Sequence, residues 1–155
     1  MHALLTGGGG MLASSIAEAW RTRRAESELT LLTRRDVDLR DAASTRAAIA
    51  DVRPDVVIHT AAFVGGIGDK TARPLPYLLD NVRIDASVLD AVVAEEIPGY
   101  LYTASAAVYP AGARNPIPES ALFGGRLEPA NEGYGLAKLT GLTAVGYAAR
   151  QTGRA

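Results

Sequence analysis

Few sequences constrain a fold as tightly as the run Thr6-Gly7-Gly8-Gly9-Gly10-Met11-Leu12-Ala13, which follows the apolar stretch HALLT at 2–6 and leads directly into a segment of helical periodicity. Four consecutive glycines weaken the interior of a helix or a strand, so the run has to be a connection. A connection this short between a strand and a helix opens a βα unit. Gly7 is placed to make the tight turn, Gly10 to let the backbone approach a pyrophosphate, and the small Ala13 to pack helix closely on strand. The N–H groups that open the helix at Met11 and Leu12, together with the positive helix end, would hold the phosphates. Taken alone, four glycines also fit a plain flexible turn.

The remainder of the chain repeats the unit. Strands are expected at roughly 2–6, 28–33, a short one near 37–39, 55–61 and 99–104, and helices at about 11–24, 42–52, 75–95 and 133–151. This alternation predicts the α/β class, as a doubly wound parallel sheet of the Rossmann type. Its ligand would lie beyond the strand carboxyl ends, where the strand order switches. A chain of 155 residues, 48% hydrophobic, can bury one substantial core, so a single domain over 1–155 is expected. Two stretches rich in Gly and Pro, 64–76 and 110–133, read as irregular loops in which a ligand site would be built.

Composition removes several function classes. A formal charge of -1, with both signs mixed along the chain, provides no basic field for nucleic acid or an anionic membrane. Without cysteine there is no disulfide framework, thiolate nucleophile or Cys-ligated zinc, and with only two histidines no metal site is expected. The three-residue apolar run before the glycines is too short for a signal-peptide core, and no stretch approaches a bilayer span. A soluble, cytoplasmic protein is the resulting expectation. His59, at the end of the 55–61 strand, reads as a satisfied core side chain rather than a ligand or base.

Chemistry is concentrated at the expected strand ends. After the second strand, where a free ribose 2′-hydroxyl would normally meet Asp or Glu, stand Thr33-Arg34-Arg35. Guanidinium groups there suit a 2′-phosphate and hence NADP(H), although a solvated arginine pair has the same sequence. Ala61 and Ala62 are small where a cofactor must lie against the backbone, and Val64-Gly65-Gly66-Ile67 provides either close approach to a substrate or simple loop flexibility. Ser105 follows the last strand, and Tyr134 and Lys138 lie one turn apart on one helix face. A free tyrosine has a pKa of about 10, and an ammonium beside it stabilises the phenolate and brings proton exchange closer to neutrality. The serine hydroxyl can hydrogen-bond the same substrate oxygen and hold it in line for hydride transfer. A YxxxK string is common by chance, and its weight comes from its place after a glycine fingerprint, a strand-end serine and the right number of βα units.

Together these residues resemble the extended short-chain dehydrogenase/reductase family. TGGGGMLA is similar to its TGxxGxxG fingerprint, with Ala13 for the third glycine, and Asp38-Leu39 resembles the pair that contacts adenine. Asn81, Ser105, Tyr134 and Lys138 match the helix asparagine and the catalytic triad, a resemblance that also implies a grip of Lys138 on the cofactor ribose. VGGI at 64–67, VYP at 108–110, PIPES at 116–120 and LEPANEGYGLAK at 127–138 resemble the GDP-L-fucose synthase subfamily. The resemblance implies an NADPH-dependent epimerase and reductase acting on a GDP-4-keto-6-deoxy sugar, with Val64, Gly65, Gly66, Ser105 and Tyr134 at the substrate.

Two departures qualify it. Ala107 stands where the subfamily has a cysteine that moves a proton in epimerisation, a task a methyl group cannot perform. The sequence also ends just after the YxxxK helix, where family members continue with further strands, a second acid/base histidine and a sugar-nucleotide domain, so the Rossmann-type domain is expected to be incomplete at its C-terminal end. The other readings are an epimerase or dehydratase that retains NAD, and a non-catalytic dinucleotide-binding fragment. Helices near 81–94 and 133–151 are apolar around most of their circumference, which together with the resemblance suggests a homodimer through them. Cover by the rest of a longer protein is the competing account.

Overall fold

The computed structural model describes residues 1–153. In chain order its elements are β1 (His2–Thr6), α1 (Met11–Arg23), β2 (Glu28–Leu32), α2 (Ala42–Val52), β3 (Val56–His59), α3 (Ile67–Ala72), α4 (Pro74–Ala94), β4 (Gly99–Tyr102) and α5 (Glu132–Thr152). Short 3-10 turns occupy Ala106–Val108, Glu119–Ala121 and Pro129–Asn131. All strands are parallel in the order β2-β1-β3-β4, with Ala3 opposite both Leu29 and Val56. Strand order therefore reverses between β1 and β3, the switch point of a doubly wound sheet.

The chain divides into two compact units. The first comprises Met1–Ala62, Arg83–Thr103 and the stretch from Val145 to the end of the described residues; the second comprises Phe63–Val82 and Ala104–Ala144. Positions 154–155 of the expected domain span lie outside the described residues.

The first unit holds the sheet. Alternating side chains of each strand point to opposite faces, and both faces are covered. On one, Ala3, Leu5 and Ile58 pack with Ala13, Ile16 and Trp20 of α1. On the other, Leu4 and Val57 join Ile49 of α2, Val88, Ala91 and Val92 of α4, and Leu32, Val37 and Leu39. His59 is fully buried, with Nδ1 at 2.7 Å from Thr6 Oγ1 and Nε2 at 3.0 Å from Asp85 Oδ1. Tyr102 donates its hydroxyl to the other oxygen of Asp85 at 2.6 Å, so both ring nitrogens belong to a buried structural network.

Two expectations need correction. Residues 37–39 form no strand. Val37 and Leu39 are buried as strand residues would be, but the backbone turns instead: Asp36 and Val37 donate to Thr33 O, and Asp41 donates to Asp38 O. Carboxylates that bond local N–H groups compete with a ladder, and Asp36 and Asp38 both do so here. The stretch 64–76, read as irregular, contains α3 and the start of α4 at Pro74, a residue suited to the first turn of a helix. No helix among the described residues is long and apolar enough to cross a membrane.

Candidate active site

The fingerprint loop belongs to the first unit. Gly7 has φ +73°, and a Cβ there would lie 2.9 Å from both N and Cα of Ala61, so the position excludes a side chain twice over. Gly10 N–H closes the turn onto Gly7 O at 2.8 Å, and Gly8 N–H reaches Leu32 O at 3.0 Å. Ala13 is buried against β1 and β3, as its size suggests. Gly10 caps α1 without a side-chain bond, while Met11 and Leu12 are exposed, leaving the helix end open to an anion.

The turn after β2 carries the arginines. Arg34 and Arg35 are exposed, and the carboxylates nearest to them in sequence are already engaged. Asp36 accepts from the N–H and the hydroxyl of Thr33, both at 2.7 Å, which holds its carboxyl below the usual range. Asp38 accepts from Arg40 Nε and Nη2 at 2.9 and 2.6 Å. These bonds and the Arg40 N–H bring the Asp38 carboxyl down to about 2, with smaller help from the charge of Arg34. Its side chain is therefore tied to Arg40, and Leu39 faces the core. Ala61 and Ala62 are half-buried. A helix end without a side-chain cap bond, a turn that only glycine fits and two exposed guanidinium groups suit a dinucleotide with an added phosphate.

The remaining site residues belong to the second unit. Ser105 and Tyr134 line one open cavity of about 480 Å³, together with Ala107, Tyr109, Glu128 and Lys70. Ser105 begins the turn Ala106–Val108, and its Oγ accepts from the Ala107 N–H at 3.2 Å. The turn packs closely on α5: a Cβ on Gly135 would come within 2.5 Å of Ala107 O. Lys138 follows Tyr134 by one turn of α5 and is only 1% exposed. Val64, Gly65 and Gly66 do not line this cavity. Gly65 instead leaves room for the Tyr77 hydroxyl, which donates to Asp69. Asn81, also fully buried, matches both backbone groups of Phe63, accepting from its N–H at 2.8 Å and donating to its carbonyl at 2.9 Å. A buried amide paired in this way fixes the start of the 63–66 loop.

Sequence reasoning missed Lys70 and Asn131. Lys70 Nζ donates to Asn131 Oδ1 at 3.1 Å and stands 4.6 Å from the centre of the Tyr134 ring. No spacing rule links residues 61 positions apart, so the only available signal was a lone lysine in a glycine-rich loop. Among the described residues, no group of three or more His, Cys, Asp or Glu is placed to hold a metal ion.

The chain is similar to several known proteins. A GDP-L-fucose synthase from Azorhizobium caulinodans is 35% identical over 144 residues, covering 93% of this chain and 46% of the relative. The GDP-L-fucose synthase of Escherichia coli is 33% identical over 150 residues, covering 97% and 46%. The chain thus spans about half the length of the curated relatives it matches. The crystal structure of a GDP-L-fucose synthetase from Naegleria fowleri bound to NADP superposes with a TM-score of 0.85 at 28% identity, covering 98% of this chain and 50% of that one. Residues 3–155 match the sequence profile described as the NAD dependent epimerase/dehydratase family. By this match over almost its whole length, the chain belongs to the NAD dependent epimerase/dehydratase family, within the extended short-chain dehydrogenase/reductases.

Proposed function

We propose that this chain is the nucleotide-binding domain of an NADPH-dependent 4-keto reductase of nucleotide sugars, similar to GDP-L-fucose synthase, with a GDP-4-keto-6-deoxy sugar as the substrate class. The observation that carries the reading is the shared cavity of Ser105 and Tyr134, with Lys138 buried one turn further along α5. Gly7, Gly10, Met11, Leu12, Asp38, Leu39, Ala61 and Ala62 would hold the dinucleotide, and Val64, Gly65 and Gly66 would border the sugar. When bound, the nicotinamide supplies hydride to the carbonyl carbon. Tyr134 gives its phenolic proton to the carbonyl oxygen, Ser105 hydrogen-bonds the same oxygen, and Lys138 stabilises the resulting phenolate. Ala107 lines the cavity with a methyl group, which supports reduction over epimerisation. The direct test is NADPH consumption when this domain, completed by the half that its relatives carry beyond the matched region, meets a GDP-4-keto-6-deoxy sugar; none under saturating conditions rejects the reading.

Cofactor choice follows from Arg34 and Arg35. NADPH is expected to bind at least about tenfold more tightly than NADH, and Arg34→Ala to remove most of that preference, because a charge-assisted phosphate contact is lost. Titration of both cofactors into both proteins measures it, and equal affinities in the unmutated chain would dismiss the assignment.

Assembly as a homodimer through helices near 81–94 and 133–151 belongs to the same proposal. Leu89, Val92 and Val93 of α4 and Val145, Ala148 and Ala149 of α5 line a shallow apolar groove in the first unit. Sedimentation across a concentration series is expected to show dimer at roughly tens of micromolar, the range of a modest interface. A monomer throughout would reject it.

A further inference from the structure

Lys70 borders the cavity of Ser105 and Tyr134 but comes from α3, outside the Ser-Tyr-Lys set. Its ammonium lies 4.6 Å from the Tyr134 ring centre and is held at 3.1 Å by Asn131 Oδ1, in the turn just before α5. The neighbouring carboxylate, Asp69, is engaged elsewhere. It accepts from Arg73 Nε and Nη2 at 2.8 and 2.7 Å and from the Tyr77 hydroxyl. The positive charge of Lys70 is thus aimed at an amide and an aromatic face, both uncharged.

A cation above a phenol ring is attracted to its π-density, and more strongly once the ring carries a negative charge. Lys70 on α3 and Lys138 on α5 both favour the ionised form of Tyr134. The other ionisable groups facing the cavity from the 105–128 segment are Tyr109 and Glu128, and a carboxylate works in the opposite sense to the ammonium.

We propose that Lys70 is a positioning residue that acts through Tyr134: anchored over the ring by Asn131, its ammonium reinforces Lys138 in drawing the phenol's ionisation toward neutral pH. The electrostatic effect stands on geometry alone, and its consequence for turnover rests on Tyr134 being the proton donor. During reduction the donor must be protonated, so loss of the Lys70 charge moves the alkaline limb of the kcat profile upward by the same amount as the Tyr134 midpoint.

The test is an ultraviolet titration of tyrosinate in the chain, with the Tyr134→Phe chain subtracted to isolate Tyr134. In Lys70→Gln the midpoint is expected to rise by about half to one pH unit, for a partly screened charge at this distance. Lys70→Arg retains the cation and is expected to stay within about 0.2 unit. Asn131→Ala loosens the ammonium, gives a smaller rise in the same direction, and provides the test if Lys70→Gln does not fold. An unmoved midpoint in Lys70→Gln, or in Asn131→Ala where that variant is the one available, overturns the proposal. So does a rise in Lys70→Arg as large as in Lys70→Gln. The titration needs no turnover, which separates it from the reductase reading. A shifted midpoint together with full activity in Tyr134→Phe rejects the proton-donor role and leaves the Lys70 effect standing, and an unmoved midpoint with an inactive Tyr134→Phe does the reverse.

Discussion

Tyr134→Phe, in the domain completed by the half its relatives carry beyond it, is expected to lower NADPH-dependent reduction of a GDP-4-keto-6-deoxy sugar by about 100- to 10,000-fold, the usual contribution of a positioned general acid. Binding of NADPH is expected to change by less than about twofold, since the substitution removes one hydroxyl and keeps the ring. The ring matters because Lys70 packs over its face, so the aromatic contact survives in phenylalanine while the transferable proton does not. Single-turnover reduction paired with a cofactor titration separates the two effects. Near-normal turnover in Tyr134→Phe would assign the proton to another group in the cavity, with Tyr109 and Glu128 the first to examine. Loss of cofactor affinity parallel to the loss of rate would instead indicate a collapsed helix start.

Gly135→Ala is expected to lower the free energy of unfolding by about 2 to 3 kcal/mol, although alanine is the better helix former by about 1 kcal/mol. The sign is set by the Ala107 carbonyl, which a Cβ at this position would approach to 2.5 Å, with Leu127 Cδ1 at 3.0 Å. A backbone carbonyl cannot swing aside as a flexible side chain can, so α5 or the Ala106–Val108 turn has to move. Gly146→Ala, on the same helix, provides the control. The nearest atom to its new Cβ is the mobile end of Arg150 at 3.9 Å, so helix propensity prevails and stability is expected to rise by about 0.5 to 1 kcal/mol. Chemical denaturation of the two variants measures both signs. A stabilised Gly135→Ala would mean that the turn beneath α5 is not held where the structure places it. Because that turn carries Ser105, the destabilised variant is also expected to lose activity beyond its loss of folded protein.

Local physics made much of this protein legible in its sequence. The glycine run had to be a connection, apolar runs alternating with helical segments had to be parallel strands covered by helices, and helix periods gave four of the five α-helices among the described residues within a residue or two. Ser105, Tyr134 and Lys138 stood out because helix spacing and a strand end relate them locally. Tertiary structure decided the rest. Val37 and Leu39 alternate like a strand, yet Asp36 and Asp38 bind nearby N–H groups and turn the backbone. The burial pattern was therefore right and the secondary structure it suggested was wrong. His59 read as a satisfied core side chain from the sequence, but only the fold shows that Thr6 and Asp85 are the partners at its two nitrogens. Lys70, Asn131 and Tyr134 are gathered only when α3 and the turn before α5 meet around one cavity. Periodicity relates residues a few positions apart, and a pairing across some 60 positions carries no such imprint in a single sequence, so only the folded chain places the Lys70 ammonium over the tyrosine.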